Sequence, residues 1–109
     1  YKIYSIDNLI DFIDDKIQND YSYKHINRVI NVWIKQNFSI LISNSNILNE
    51  IYYKMFKKYW KIKISDNNFN KETNNFIKEW IKNKDNEDFN FNLGNDLKKY
   101  LSKKYGSTK

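Results

Sequence analysis

At 109 residues, 40% hydrophobic and 17% aromatic, the chain has the length of one domain and enough apolar side chains to close one core. It contains no cysteine, which excludes disulfides and thiolate metal sites, and no apolar run longer than three residues, as at Ile40 to Ile42, which excludes a membrane-spanning helix. The net charge of +6 is uneven: residues 1–53 carry five basic and six acidic side chains and residues 54–109 fourteen and seven, so an anionic partner is expected to meet the second half.

Mean hydropathy is low, at −0.84, but sixteen isoleucines and the aromatic content are enough to offset the entropy of ordering the chain. Eighteen lysines and eighteen asparagines stand against no alanine or proline and two glycines. That bias follows AT-rich codons and reads as genomic, so part of the lysine excess carries no functional meaning. The chain opens at Tyr1 without methionine and is expected to be a single helical domain, 1–109, cut from a longer or processed protein.

Five segments carry helical periodicity. Over Asp7 to Gln18, Ile6, Ile10, Ile13 and Ile17 form one stripe, with Asp7 placed to cap. Over Ser22 to Gln36, Tyr23, Ile26, Ile30, Trp33 and Ile34 face inward, Ser22 serves as N-cap and Asn37 stops the helix. The strongest pattern is one continuous helix from Ile47 to Trp60, built on Ile47, Leu48, Ile51, Tyr52, Met55, Phe56, Tyr59 and Trp60. A fourth helix is expected over Asn70 to Asn83 and a fifth over Asn95 to Tyr105, with Gly106 as a left-handed C-cap. The fold class is therefore all-α, a compact bundle of about five short helices. Period-two stretches at 1–6, 38–43, 61–65 and 89–92 leave an α+β alternative, a small winged-helix-like domain in which these pair as strands.

The chemically most suggestive stretch is YYKMFKKYWKIK, Tyr52 to Lys63. Lys54, Lys57, Lys58, Lys61 and Lys63 place five positive charges in ten residues without an acid, and Tyr53 and Trp60 are interleaved as stacking candidates, with Trp60 the tryptophan expected to be partly exposed. The competing reading is an ordinary solvated helix face, since Lys54, Lys57 and Lys61 lie opposite the apolar stripe. Lys98, Lys99, Lys103 and Lys104 form a second basic cluster, which would extend the first if the two helices were neighbours; the helix dipole also accounts for lysines there.

Asp7, Asp11, Asp14 and Asp15 share one side of the first helix, but charges at a helix start compensate its dipole, so neither metal nor acid/base chemistry is expected of them. His25 is the only histidine and has no second ligand-type residue at metal-site spacing. Gly94 and Gly106 are isolated, so there is no phosphate loop, and no nucleophile motif appears. Trp33, Trp60 and Trp80 fall on apolar stripes and read as core anchors.

HINRVINVWIKQN, His25 to Asn37, resembles the aromatic-Ile-x-x-Ile-Leu-x-x-Trp signature of DnaD-type primosome domains. His25 stands in the place of its tyrosine and Val29-Ile30 in that of Ile-Leu. In that family the signature lies near the domain's end, whereas here the chain runs on to Lys109. What the resemblance implies is a role in replication or DNA binding; it assigns no site residue.

The expected function is a non-catalytic binding module that contacts DNA or RNA backbone through residues 54–63 without reading sequence, and without a cofactor. The alternative is a helical adaptor or scaffold that docks another protein, motivated by its apolar and aromatic surplus. An enzyme would need an atypical pocket, for instance around Asp11, Asp15 and His25. Oligomeric state and compartment are open on sequence.

Overall fold

The computed structural model describes residues 5–83 and 92–106, and apart from an isolated bridge at Ile62 all regular structure among them is helical. Six α-helices follow in order: α1 (Ile6–Gln18), α2 (Tyr23–Gln36), α3 (Phe38–Ser43), α4 (Asn49–Met55), α5 (Asp66–Lys82) and α6 (Leu93–Tyr105). A 3₁₀ turn, Ser45–Leu48, leads into α4, and a wider π-helical turn, Phe56–Trp60, continues it. The all-α reading holds.

Each long helix has a side-chain cap that the sequence supplies. Ser5, Ser22, Ser65 and Asn92 accept from the backbone N–H three residues on, at the starts of α1, α2, α5 and α6. Ser22 caps as expected. At α1 the cap is Ser5, so Asp7 sits inside the first turn, where its charge complements the dipole instead. α5 begins a turn before Asn70 because Ser65 captures the N–H of Asn68. α6 likewise starts at Leu93, not Asn95, behind Asn92. Gly106 does end α6 at positive φ (82°), but its ψ of 168° is extended and not left-handed helical.

The core is one cluster to which all six helices contribute. Leu9 and Ile13 of α1, Ile26, Ile30 and Ile34 of α2, Leu41 of α3, Ile51, Tyr52 and Met55 of α4, Phe69 and Ile77 of α5, and Leu93, Leu97 and Leu101 of α6 are fully buried. Burial of an aliphatic side chain of this kind contributes about 1.5–3 kcal/mol. At the centre Phe56 and Phe69 stack at 4.4 Å and Tyr52 lies against Trp60 at 5.9 Å.

The period-two segments do not become strands. Residues 38–43 form α3, which buries Leu41 alone and leaves Ile40 and Ile42 exposed. The Asn37 carbonyl accepts from both Ile40 and Leu41, so the segment satisfies its own backbone, which a strand could do only with a partner. Residues 61–65 are a connector in which Ile62 is an isolated bridge residue and Lys63 N–H donates to the Gly106 carbonyl at 3.0 Å; no strand forms there among the described residues. Of 1–6, Ile6 belongs to α1; of 89–92, Asn92 is the α6 cap; the remainder, 1–4 and 89–91, lies outside the described residues.

The continuous helix expected from Ile47 to Trp60 is instead three pieces: 3₁₀, α and π. Its apolar residues still reach the core, since Leu48, Ile51, Tyr52, Met55, Phe56 and Trp60 are all buried. The wider last turn closes at Lys61, which takes left-handed φ/ψ of 51°/53° and turns the chain towards the connector.

Candidate nucleic-acid interface

The lysines of residues 54–63 do not form a free cationic strip. Lys54 Nζ lies 2.9 Å from Asp14 of α1 and 3.8 Å from Glu50, Lys57 Nζ 3.7 Å from Asp66 of α5, and Lys58 Nζ 3.4 Å from Asp20. Carboxylates scattered along the chain thus converge on this face and neutralise much of its field. The pairs are solvent-accessible and worth little in stability, about 0–1 kcal/mol each, but they remove the charge imbalance on which the expectation rested.

The stacking candidates are also committed elsewhere. Trp60 is only 3% exposed, packed among Tyr23, Tyr52 and Phe69, so it is a core ring and not the partly exposed one expected. Tyr53 is half-buried against Phe56 and Phe69, and its hydroxyl donates to Asp66 at 2.9 Å, a bond that raises its phenol pKa. Lys61 and Lys63 are exposed on the connector, and the Lys63 to Gly106 bond sets them beside the end of α6, where Lys103 and Lys104 lie. The two basic clusters therefore meet only at their ends.

Lys104 is itself tied down. Glu72 of α5 accepts from Lys104 Nζ at 2.7 Å, from Tyr100 at 2.9 Å and from Tyr105. The Lys104 and Tyr105 donors are the main reason the Glu72 carboxyl is held down to about 2, while the carboxylate raises Lys104 and Tyr105. This is a clamp between α5 and α6.

A different surface carries cations with no carboxylate beside them among the described residues. α2 contains no acidic residue at all. On its outer face stand Lys24, Arg28 and Lys35, all exposed and within about 40° of one another around the axis at 100° per residue. The rise of 1.5 Å per residue puts Lys24 and Arg28 about 6 Å apart along the axis and Lys35 about 10 Å further on. His25, about 60° from Arg28 around the axis and also exposed, has the Tyr21 ring beside it at 5.1 Å.

This face is fixed from beneath. Asn27 is buried, and its Nδ2 donates to Asn92 Oδ1 at 2.9 Å; Asn31 Nδ2 donates to the same oxygen at 3.1 Å. Tyr23 donates to Asn95 Oδ1 at 3.1 Å. The N-terminus of α6 is thereby locked against α2, and a polar groove lined by Lys24, Asn27, Arg28, Asn31, Asn92 and Asn95 runs along the seam. Lys98 of α6 sits 5.2 Å from the centroid of the Tyr23 ring and extends positive charge to the groove's α6 side.

Sequence reasoning missed Lys24, Arg28 and Lys98 as a group because it weighed charge along the chain. The available signal was α2's lack of acids, masked by the acidic helix before it.

The remaining candidates stay apart. The carboxylates of α1 border a shallow surface depression with Asn8, Asp11, Phe12, Asp15 and Lys16, which His25 does not join. No three histidine or acidic side chains gather in metal-ligand geometry among the described residues. Trp33 and Trp80 are buried as expected of core anchors. No described helix is long and apolar enough to cross a membrane. Of the positions that carry the DnaD-type pattern, Ile26, Ile30 and Trp33 are buried, Val29 is half-buried and His25, in the tyrosine's place, is exposed; packing of an amphipathic helix accounts for the apolar ones. Neither a family model, nor a curated protein, nor a solved structure matches the chain.

Proposed function

We propose that the protein is a binding module for nucleic-acid backbone, tolerant of sequence, whose contact surface centres on Lys24, Arg28 and Lys98, in place of the lysines of α4 and the π turn. The observation that carries this reading is the acid-free outer face of α2, whose cations have no carboxylate within ion-pair distance among the described residues, set beside lysines 54, 57 and 58, which do. A solvated face without function mixes signs, as the α4 side of this molecule does. Cations at a helical spacing on a rigid support suit phosphates, which need charge and position but no base-specific donors. Arg28 adds a planar guanidinium, able to hold a phosphate through two N–H donors.

Titration of a labelled 12-nucleotide strand across a salt series tests it. Binding is expected to weaken steeply and linearly in log–log form, with a slope of about −2 to −3 for three or four phosphates. Salt-independent binding, or none at low salt, would contradict the reading.

One observation favours a second reading, protein docking. Ile40 and Ile42 of α3 are 46% and 59% exposed, and Val32 of α2 is 49% exposed. Ile42 borders a depression with Ile81, Lys78 and Lys82 of α5. If this apolar surface is an interface, Ile40→Ser with Ile42→Ser abolishes an association seen by sedimentation; a wild-type chain that stays monomeric and retains no partner removes the argument.

A further inference from the structure

The corner between α1 and α2 presents one aromatic ring to solvent and holds its backbone from both sides. α1 ends in a Schellman motif: Tyr21 N–H donates to the Lys16 carbonyl at 3.0 Å and Asp20 N–H to the Ile17 carbonyl at 3.1 Å, with Asp20 at left-handed φ 57°. Aspartate is among the few residues other than glycine that adopt this conformation at tolerable cost. The π turn then braces the corner with two consecutive side chains: the Tyr59 hydroxyl donates to the Tyr21 carbonyl at 2.7 Å, and Lys58 pairs with Asp20.

Both backbone polar groups of Tyr21 are thus engaged, yet its side chain is 40% exposed. Among the described residues no other phenylalanine, tyrosine or tryptophan is exposed to this extent. His25, one turn on and exposed, lies beside it with ring centroids 5.1 Å apart at 50°. Lys24 and Arg28 flank His25 along α2, and Lys16 Nζ stands 4.5 Å from the Tyr21 centroid while it pairs with Asp15 at 3.6 Å. Asp20 is the carboxylate nearest in sequence, and it is paired with Lys58.

From this arrangement we infer that Tyr21 and His25 form a stacking platform for an unpaired base, so that the partner is single-stranded nucleic acid and not duplex. The inference rests on the backbone-binding reading and deepens it. A duplex keeps its bases stacked on one another and can offer this surface only phosphates. A single strand gripped by Lys24 and Arg28 can lay one base on the His25 ring or displace the Lys16 ammonium from Tyr21 onto its partner Asp15. A pre-set ring loses little freedom on binding, and a ring that receives a base has to be exposed, as Tyr21 is and Trp60 is not.

The test compares a 12-nucleotide single strand, the blunt duplex of the same length and inorganic polyphosphate at one salt concentration. The strand is expected to bind more tightly than the duplex. Tyr21→Ala and His25→Ala are each expected to weaken it about tenfold, with the salt slope unchanged, while Tyr21→Phe keeps wild-type affinity. Because His25 is the only histidine, its ring protons give a clean nuclear magnetic resonance reporter: the strand shifts them upfield and polyphosphate does not. Equal affinity for strand and duplex, with both alanine variants binding like wild type, overturns the stacking platform and leaves backbone binding standing. Absence of binding to all three at low salt overturns both.

Discussion

Gly94 shows how narrowly a single residue fixes the proposed surface. A Cβ at this position would lie 2.3 Å from Asn27 Oδ1 and 3.3 Å from the Tyr52 ring, closer to the amide than real contacts allow. The α6 start can therefore approach α2 closely enough for Asn92 to take both amide donors only because residue 94 has no side chain. Gly94→Ala is expected to destabilise the fold by about 1–3 kcal/mol in urea unfolding, since the buried Asn27 must move and its bond to Asn92 is strained. Gly106 differs: the space around it is open, but its φ of 82° with ψ of 168° is backbone that glycine almost alone adopts, so Gly106→Ala should cost about 1–3 kcal/mol through backbone strain and not through a clash. Glu72 makes a residue-scale prediction in pH. Its pKa is lowered in the folded chain, so its stabilising contribution is complete above the unfolded carboxyl value of about 4.3 and is lost as pH falls towards about 2. Glu72→Gln should lower Tm by several degrees at neutral pH and flatten the fall in Tm between about pH 4 and pH 2. An unchanged acid limb in calorimetry would show that the α5–α6 clamp contributes nothing.

Among the elements, the π turn is the one whose role could not be read from periodicity. The pattern over Ile47 to Trp60 identified six side chains that are buried and two, Ile47 and Tyr59, that are half-buried, because a helix that widens in its last turn still presents the same residues to the core. It could not show that widening re-aims Lys58 and Tyr59 towards Asp20 and Tyr21, since those partners lie 38 residues away in sequence. Tyr59→Phe with Lys58→Ala should leave the core intact but loosen the corner, seen as faster amide exchange at Asp20 and Tyr21 with little change in the amides of α5. α3 failed for a local reason: FSILIS alternates like a strand, and only the packed fold reveals that one residue of it, Leu41, is buried. The Ser22 cap, the core stripe of α2 and the stop at Asn37 were legible because they rest on local chemistry; at α1 the stripe held Ile13 but not Leu9, and the caps Ser5, Ser65 and Asn92 were not anticipated. Which lysine meets which carboxylate was not, because ion pairing is decided by tertiary neighbours.

At the scale of the whole molecule, the sequence halves and the charged faces do not correspond. The acidic front half delivers Asp14 and Asp20 to the lysines of α4 and the π turn, and Asp66 of α5 takes Lys57, which leaves the acid-free α2 as the exposed positive surface even though it belongs to the half with net charge −1. α6 completes that surface through Lys98. The most direct measurement is affinity for one single-stranded oligonucleotide, over a salt series, of two charge-reversed proteins: Lys24→Glu with Arg28→Glu, and Lys57→Glu with Lys58→Glu. The first pair is expected to lose at least tenfold in affinity and to flatten the salt slope by about 1.4, as the loss of two single-strand phosphate contacts requires, with a much smaller effect from the second. The opposite order, with the α2 pair close to wild type and the π-turn pair crippled, would contradict the placement of the interface on α2.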